Sequence, residues 1–202
     1  MNGKGKILEH RIGDSIPFFG AWYIDSSICD GLIDYYNESP IKEPGRTMHK
    51  NLSMVNTPFV KKSTDVRCEA NSQDKRISSY VSALLSVVDC YKSRFPALDQ
   101  NLSTWGLVEP FNIQHYEPNE GFVQWHCERS SLMVANRLLV FMTYLNDVYD
   151  GGGTEWKYLN LHIQPEKGLT AIWCADWIHL HRGITSPTES KTIATGWFGL
   201  AE

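Results

Sequence analysis

The stretch Phe122–Ser130, FVQWHCERS, sets an imidazole and a carboxylate two positions apart around a cysteine. On an extended chain alternate side chains share a face, so His126 and Glu128 point one way and Cys127 the other. Such a pair suits a divalent cation, and it suits equally well the wet face of a strand. A metal site needs a third donor. His10, His49, His115 and His162 stand in isolated or loop-like contexts. The stretch Trp177–Phe198, WIHLHRGITSPTESKTIATGWF, instead places His179 and His181 between two apolar β-type runs. His-x-Glu on one segment and a histidine from a later strand make a set of two histidines and one carboxylate that occupies one face of a metal and leaves the other open. Oxygen chemistry requires open positions, because a co-substrate and O₂ must both reach the metal.

The elements that must position these residues follow from the period of the apolar residues. In Ser26–Ser39, SSICDGLIDYYNES, serines able to cap a helix precede Ile28, Leu32, Ile33 and Tyr36 at helical spacing. Arg76–Phe95 reads as a second helix with Tyr80, Leu84, Val87, Val88 and Tyr91 along one stripe, stopped by Pro96. Residues 40–74, rich in Pro, Lys, Ser and Thr, read as loops. After Pro96 the period changes: FNIQHY, RLLVFMTYL, GLTAIWCAD and KTIATGWF are β-type runs separated by turn residues. Helices first and strands afterwards predict an α+β chain with a mostly β core, a jelly roll flanked by N-terminal helices.

The 202 residues, 42% of them hydrophobic, support one full-sized domain, 1–202. Within it the reading divides a helical support region with loops, 1–100, from a β core, 105–200. Net charge is −4 with a pI near 6.0, and Lys and Arg are scattered. Nucleic acid is therefore not an expected partner. No apolar run is long enough to span a bilayer, and the opening MNGKGKILEH is polar, so no membrane association is expected. The cysteines at 29, 68, 90, 127 and 174 are irregularly spaced with no Cys-x-x-Cys pair, which argues against a thiolate zinc site or a disulfide framework. A soluble protein in a reducing cytoplasm is the simplest expectation.

The pattern over roughly residues 105–200 resembles the Fe(II)/2-oxoglutarate-dependent dioxygenases, and more closely their prolyl 4-hydroxylase branch. The family motif is His-x-Asp with a distal His; here His126-Cys127-Glu128 has Glu where Asp is usual. In the branch a basic residue follows the distal His by nine or ten positions and pairs with the far carboxylate of 2-oxoglutarate. Ten from His181 is Lys191, whereas ten from His179 is Glu189, which would repel an anion. That favours His181 as the ligand and leaves His179 a supporting role. The branch also has a Tyr ten residues before the first metal His, here Tyr116. A second Tyr before a Leu-Asn pair, here Tyr144, shares the co-substrate carboxylate in relatives. The Gly-rich turn DGGGTEW follows it. Relatives acting on prolyl peptides carry an Arg seven residues before the second Tyr and a Trp six after the basic residue, which fall on Arg137 and Trp197.

The resemblance implies a cupin-like double-stranded β-helix in which His126, Glu128 and His181 hold Fe(II). It implies 2-oxoglutarate seated on Lys191 and Tyr144 with Tyr116 nearby, and an acceptor beside Arg137 and Trp197. It implies use of O₂, release of succinate and CO₂, ascorbate as an optional addition, and hydroxylation of a prolyl residue in a protein or peptide. Strand parity places Lys191, Ile193, Thr195 and Trp197 on one cavity wall. Arg137 and Tyr144 have opposite parity, so Arg137 lies at the mouth of its strand or a bulge intervenes. A free amino acid or small metabolite as acceptor, and a non-enzymatic cupin-like metal-binding module, remain the alternatives.

Overall fold

The computed structural model describes residues 7–12, 16–48 and 54–201. In chain order the elements begin with β1 (Leu8–Glu9), β2 (Phe19–Tyr23), α1 (Ser26–Glu38), β3 (Glu43–Pro44), β4 (Thr47–Met48), β5 (Met54–Val55) and β6 (Thr64–Cys68). There follow α2 (Lys75–Arg94), α3 (Ala97–Asn101), β7 (Trp105–Gly106), β8 (Phe111–Tyr116) and β9 (Arg137–Tyr144). The chain closes with β10 (Thr154–Trp156), β11 (Leu161–Ile163), β12 (Leu169–Cys174), β13 (His181–Gly183) and β14 (Lys191–Leu200). Both helices start one residue earlier than the apolar pattern alone would place a cap. Asp25 and Asp74, and not the serines, accept the first free N–H groups, from Ser27 and Arg76.

The main sheet is antiparallel, in the order β1-β2-β12-β9-β14-β8-β6-β3 with β7 alongside β14. A smaller sheet, β11-β10-β13, packs against one of its faces. The two sheets form an open jelly roll, not a closed barrel. The segment expected as loops contributes more than that, since β6 pairs with β8 over Thr64–Cys68, and β2, for which no strand was expected, pairs with β12. These strands carry too few alternating apolar residues to stand out in sequence, and the sheet recruits them through backbone pairing.

Side-chain alternation divides the main sheet into two faces. Leu139, Phe141, Phe111, Ile113, Ala194 and Phe198 face the helices and pack with Leu32, Tyr80, Leu84 and Val87. Val140, Met142, Tyr144, Trp173 and Ile193 face the smaller sheet and pack with Trp156 and Leu161. The buried Tyr80 hydroxyl is matched to Thr143 Oγ1 at 3.0 Å, which meets Thr170 Oγ1 at 2.8 Å, so the helix layer is also registered by polar contacts. All five cysteines are free, and among the described residues no helix is long and apolar enough to cross a membrane.

Candidate metal centre and co-substrate cavity

The segment carrying His126 and Glu128 is not a strand, contrary to the simplest reading of its alternation. It is an irregular connection pinned at two points. Phe122 bridges to Lys61, and His126 bridges to His181. The second bridge is reciprocal: the N–H of each residue donates to the carbonyl of the other at 3.0 Å. Extended geometry survives locally, so His126 and Glu128 still share a side. Glu128 is anchored by its own N–H, which donates to Ala175 O at 3.1 Å.

His126, Glu128 and His181 offer ligand atoms that all lie within 4.8 Å of one another. His126 Nε2 is 3.4 Å and His181 Nε2 is 3.6 Å from Glu128 Oε1. The donor set fits a metal for a reason visible in the hydrogen bonds. His126 Nδ1 sits 2.8 Å from Gln124 O, and His181 Nδ1 sits 2.9 Å from His179 O. A carbonyl only accepts, so each Nδ1 carries the proton and each Nε2 keeps a free lone pair aimed at Glu128. Burial works to raise the Glu128 pKa, but where the histidines take up protons at Nε2 in place of an ion, their hydrogen bonds and charge outweigh it and hold the carboxyl well below its usual range. Burial and His126 together lower the His181 pKa, which favours the neutral, ligating form. Phe122 stacks on His126 at 3.6 Å between ring centroids and fixes the ring plane.

His179 is buried, but its ring is directed to Pro17 O at 3.3 Å, away from the carboxylate. What it gives the site is its backbone carbonyl. His10, His115 and His162 take no part in the cluster, and His49 lies outside the described residues.

A cavity of about 1350 Å³ opens from this cluster and runs across the main sheet toward its β6–β3 edge. Lys191, Ile193, Thr195 and Trp197 all line it, as strand parity requires. Tyr116, Gln114 and Asn112 on the neighbouring β8 continue the same wall. Lys191 is 5% exposed and donates to Gly152 O at 2.7 Å. Its ammonium lies 5.1 Å from the centre of the Tyr116 ring, and among the described residues no carboxylate pairs with it. Burial pushes its pKa down to about 8. A cation this deep without an anion marks a place prepared for one.

Tyr144 does not border the cavity. Its hydroxyl donates to Thr154 Oγ1 at 2.8 Å and approaches Ile163 O at 3.4 Å, so the cavity wall there is Thr154. Tyr116 does border it, with its hydroxyl donating to Gln114 Oε1 at 2.7 Å. Arg137 and Trp197 both border it and touch each other, the guanidinium 3.4 Å above the indole. A register shift opposite Phe198/Gly199 explains the parity of Arg137. Leu139 pairs with Phe198 while Arg137 pairs with Gly199, so β9 carries one extra residue. The bulge turns Arg137 to the cavity side. Gln114 and Thr154 were visible as strand residues of the right parity only once the sheet was known; Glu109, which grips Arg137, carried no signal in the sequence.

Residues 111–199 match the family model described as the 2OG-Fe(II) oxygenase superfamily. No curated protein matches by sequence. Among solved structures, a viral collagen prolyl hydroxylase from Paramecium Bursaria Chlorella virus-1 in complex with 2OG superposes with TM-score 0.68 at 16% identity, over 91% of this chain and 97% of that one. A Pseudomonas putida prolyl-4-hydroxylase gives 0.67 at 13%, over 92% and 94%. A Trichoplax adhaerens prolyl hydroxylase in complex with a hypoxia inducible factor peptide fragment gives 0.68 at 15%, over 90% and 83%. The chain has the fold of these prolyl hydroxylases, and its core over residues 111–199 is similar to the 2OG-Fe(II) oxygenase superfamily.

Proposed function

We propose that this chain hydroxylates an unactivated C–H bond, that of a prolyl residue in a protein or peptide, with release of succinate and CO₂. His126, Glu128 and His181 hold Fe(II) in this reading, and Lys191 receives the distal carboxylate of 2-oxoglutarate. The bound iron, with 2-oxoglutarate and O₂, supplies the oxidation; the protein's part is to bind, orient and exclude water. Lys191 neutralises a carboxylate at the deep end of the cavity, where burial makes an unpaired charge costly. Tyr144 acts through Thr154, fixing the hydroxyl that faces the co-substrate. Tyr116 walls the ammonium with its ring. Trp197 and Arg137 stand where an acceptor passes on its way to the metal cluster.

One observation supports the reading above others: a three-ligand cluster with an open side and a buried, anion-free lysine share one cavity. A metal-binding module that never meets a dianion has no use for that lysine. The size of the cavity, about 1350 Å³, exceeds the roughly 300–1,000 Å³ of a small-ligand pocket and favours a peptide over a free amino acid. The names of the solved relatives, a collagen prolyl hydroxylase and a hydroxylase bound to a peptide fragment, point the same way.

The test begins without oxygen. Fe(II) followed by 2-oxoglutarate is expected to give a weak visible charge-transfer band that needs both. With oxygen admitted, a proline-containing peptide library examined by mass spectrometry is expected to yield species heavier by one oxygen, silent when the proline is replaced by alanine. Hydroxylation of a free amino acid but of no peptide would sink the prolyl reading and leave the oxygenase intact. Absence of the band would count against both.

A further inference from the structure

The far oxygen of Glu128 has a mounting of its own. Trp197 Nε1 donates to Glu128 Oε2 at 3.0 Å, and Arg137 Nη1 lies 3.5 Å from the same oxygen. Arg137 Nη1 also donates to the Glu128 backbone carbonyl at 3.3 Å. The opposite edge of the guanidinium is a two-bond fork onto Glu109, Nε to Oε1 and Nη2 to Oε2, each at 2.7 Å. Its flat face lies on Trp197.

We propose that Glu109, Arg137 and Trp197 form a relay that fixes the rotamer of Glu128, so that the carboxylate presents Oε1 alone to the two histidines. Trp197 and Arg137 are positioning residues for the metal carboxylate, and Glu109 anchors them. The inference rests on the reading that His126, Glu128 and His181 hold a metal.

Four features carry it. A glutamate has one more rotatable bond than an aspartate, so a glutamate ligand needs a second contact to stop its carboxylate turning both oxygens to the ion. Trp197 has a single N–H, and Glu128 takes it. Arg137 spends three of its N–H groups on Glu109 and Glu128, which makes it a clamp more than a free donor to an acceptor. The β9 bulge supplies the fourth: a regular strand would have put the guanidinium on the helix side of the sheet.

The test reads metal binding without turnover. Co(II) is titrated into metal-stripped protein with no 2-oxoglutarate and no acceptor, and affinity and the visible d–d spectrum are recorded. Trp197→Phe keeps a ring beneath Arg137 and removes the N–H. It is expected to weaken Co(II) by about ten- to a hundredfold, the usual effect of losing a hydrogen bond to a metal ligand, and to alter the d–d band as Glu128 is released. Glu109→Gln keeps the shape of the anchor and removes its charge. It is expected to shift affinity the same way by a smaller factor, and it decides the matter where Trp197→Phe fails to fold by circular dichroism. Lys191→Ala is the control, with the parent's Co(II) affinity and spectrum. Variants that titrate like the parent overturn the relay. A parent that takes up no Co(II) overturns the metal-site reading instead.

Discussion

Lys191 is the residue whose removal separates the two ligands of this site. Its ammonium is buried beside Gly152 O and the Tyr116 ring, and no carboxylate among the described residues pairs with it. Lys191→Ala is therefore expected to leave metal affinity unchanged and to weaken 2-oxoglutarate by about thirtyfold or more, since an unpaired buried charge costs roughly 2–5 kcal/mol. Calorimetry of the metal-loaded protein measures both. The same lysine predicts a pH dependence. In the proposed reading a dianion binds the ammonium, and burial has lowered its pKa to about 8 in the free protein. Affinity for 2-oxoglutarate is then full below pH 8 and falls as pH rises through it, by about tenfold per pH unit. Affinity flat from pH 7 to 9.5 would show that Lys191 does not meet the co-substrate. The histidines give a sharper contrast. His181→Ala should abolish stoichiometric metal uptake, while His179→Ala should preserve it, because only the backbone carbonyl of His179 serves the site. The reverse pattern would mean the wrong histidine had been chosen.

At the scale of elements, β14 couples the helix layer to the site. Its odd-numbered residues from Lys191 to Trp197 face the cavity, while Ala194, Gly196 and Phe198 face the helices. A Cβ on Gly196 would meet Phe111 Cβ and Phe141 Cζ, each at 2.7 Å. Gly196→Ala is expected to destabilise by about 1–3 kcal/mol through overpacking, seen as a lower melting temperature. Because the displaced strand also carries Lys191 and Trp197, 2-oxoglutarate affinity should fall with it. Unchanged stability would show that the aromatic cluster yields freely. The long helix, four of the strands and the three clustered donor side chains were legible in the sequence because their signals are local: a period of 3.6, a period of two, and fixed spacings between donors. β2 and β6 were not, since their pairing partners lie far along the chain and little in their own residues announces them. Tyr144 shows the other limit. Its spacing matches that of the branch it resembles, but spacing cannot reveal that Thr154 would stand in front of it. Arg137 and Trp197 were found as cavity residues, while their grip on Glu128 needed the bulge and the fold of the metal-bearing loop.

The whole molecule brings together a loop, a short strand of the smaller sheet and the long central strand of the main sheet to make one site. The open jelly roll permits this, because its unclosed side lets the cavity run from the metal cluster to the sheet edge, where Glu43, Arg67 and Glu69 mix both signs of charge. A mixed rim creates no single-sign field, so in the proposed reading an acceptor is selected by fit along the groove more than by long-range attraction.

The reciprocal backbone bridge between His126 and His181 has a thermodynamic consequence. Two hydrogen bonds at 3.0 Å hold these donors side by side within the sheet framework itself, so binding an ion need not gather them from separate loops. Most of the chelate entropy has been lost on folding, and the ion adds affinity without creating the fold. Stripping the metal with a chelator is expected to leave a cooperative melting transition. Stability should drop only by mass action, about 2.7 kcal/mol when the ion had been at a hundredfold excess over its Kd. Ions should exchange on a timescale faster than global unfolding, because only side chains have to let go. A chelated protein that loses its calorimetric transition would mean that the ion, and not the bridge, holds the loop to the strand.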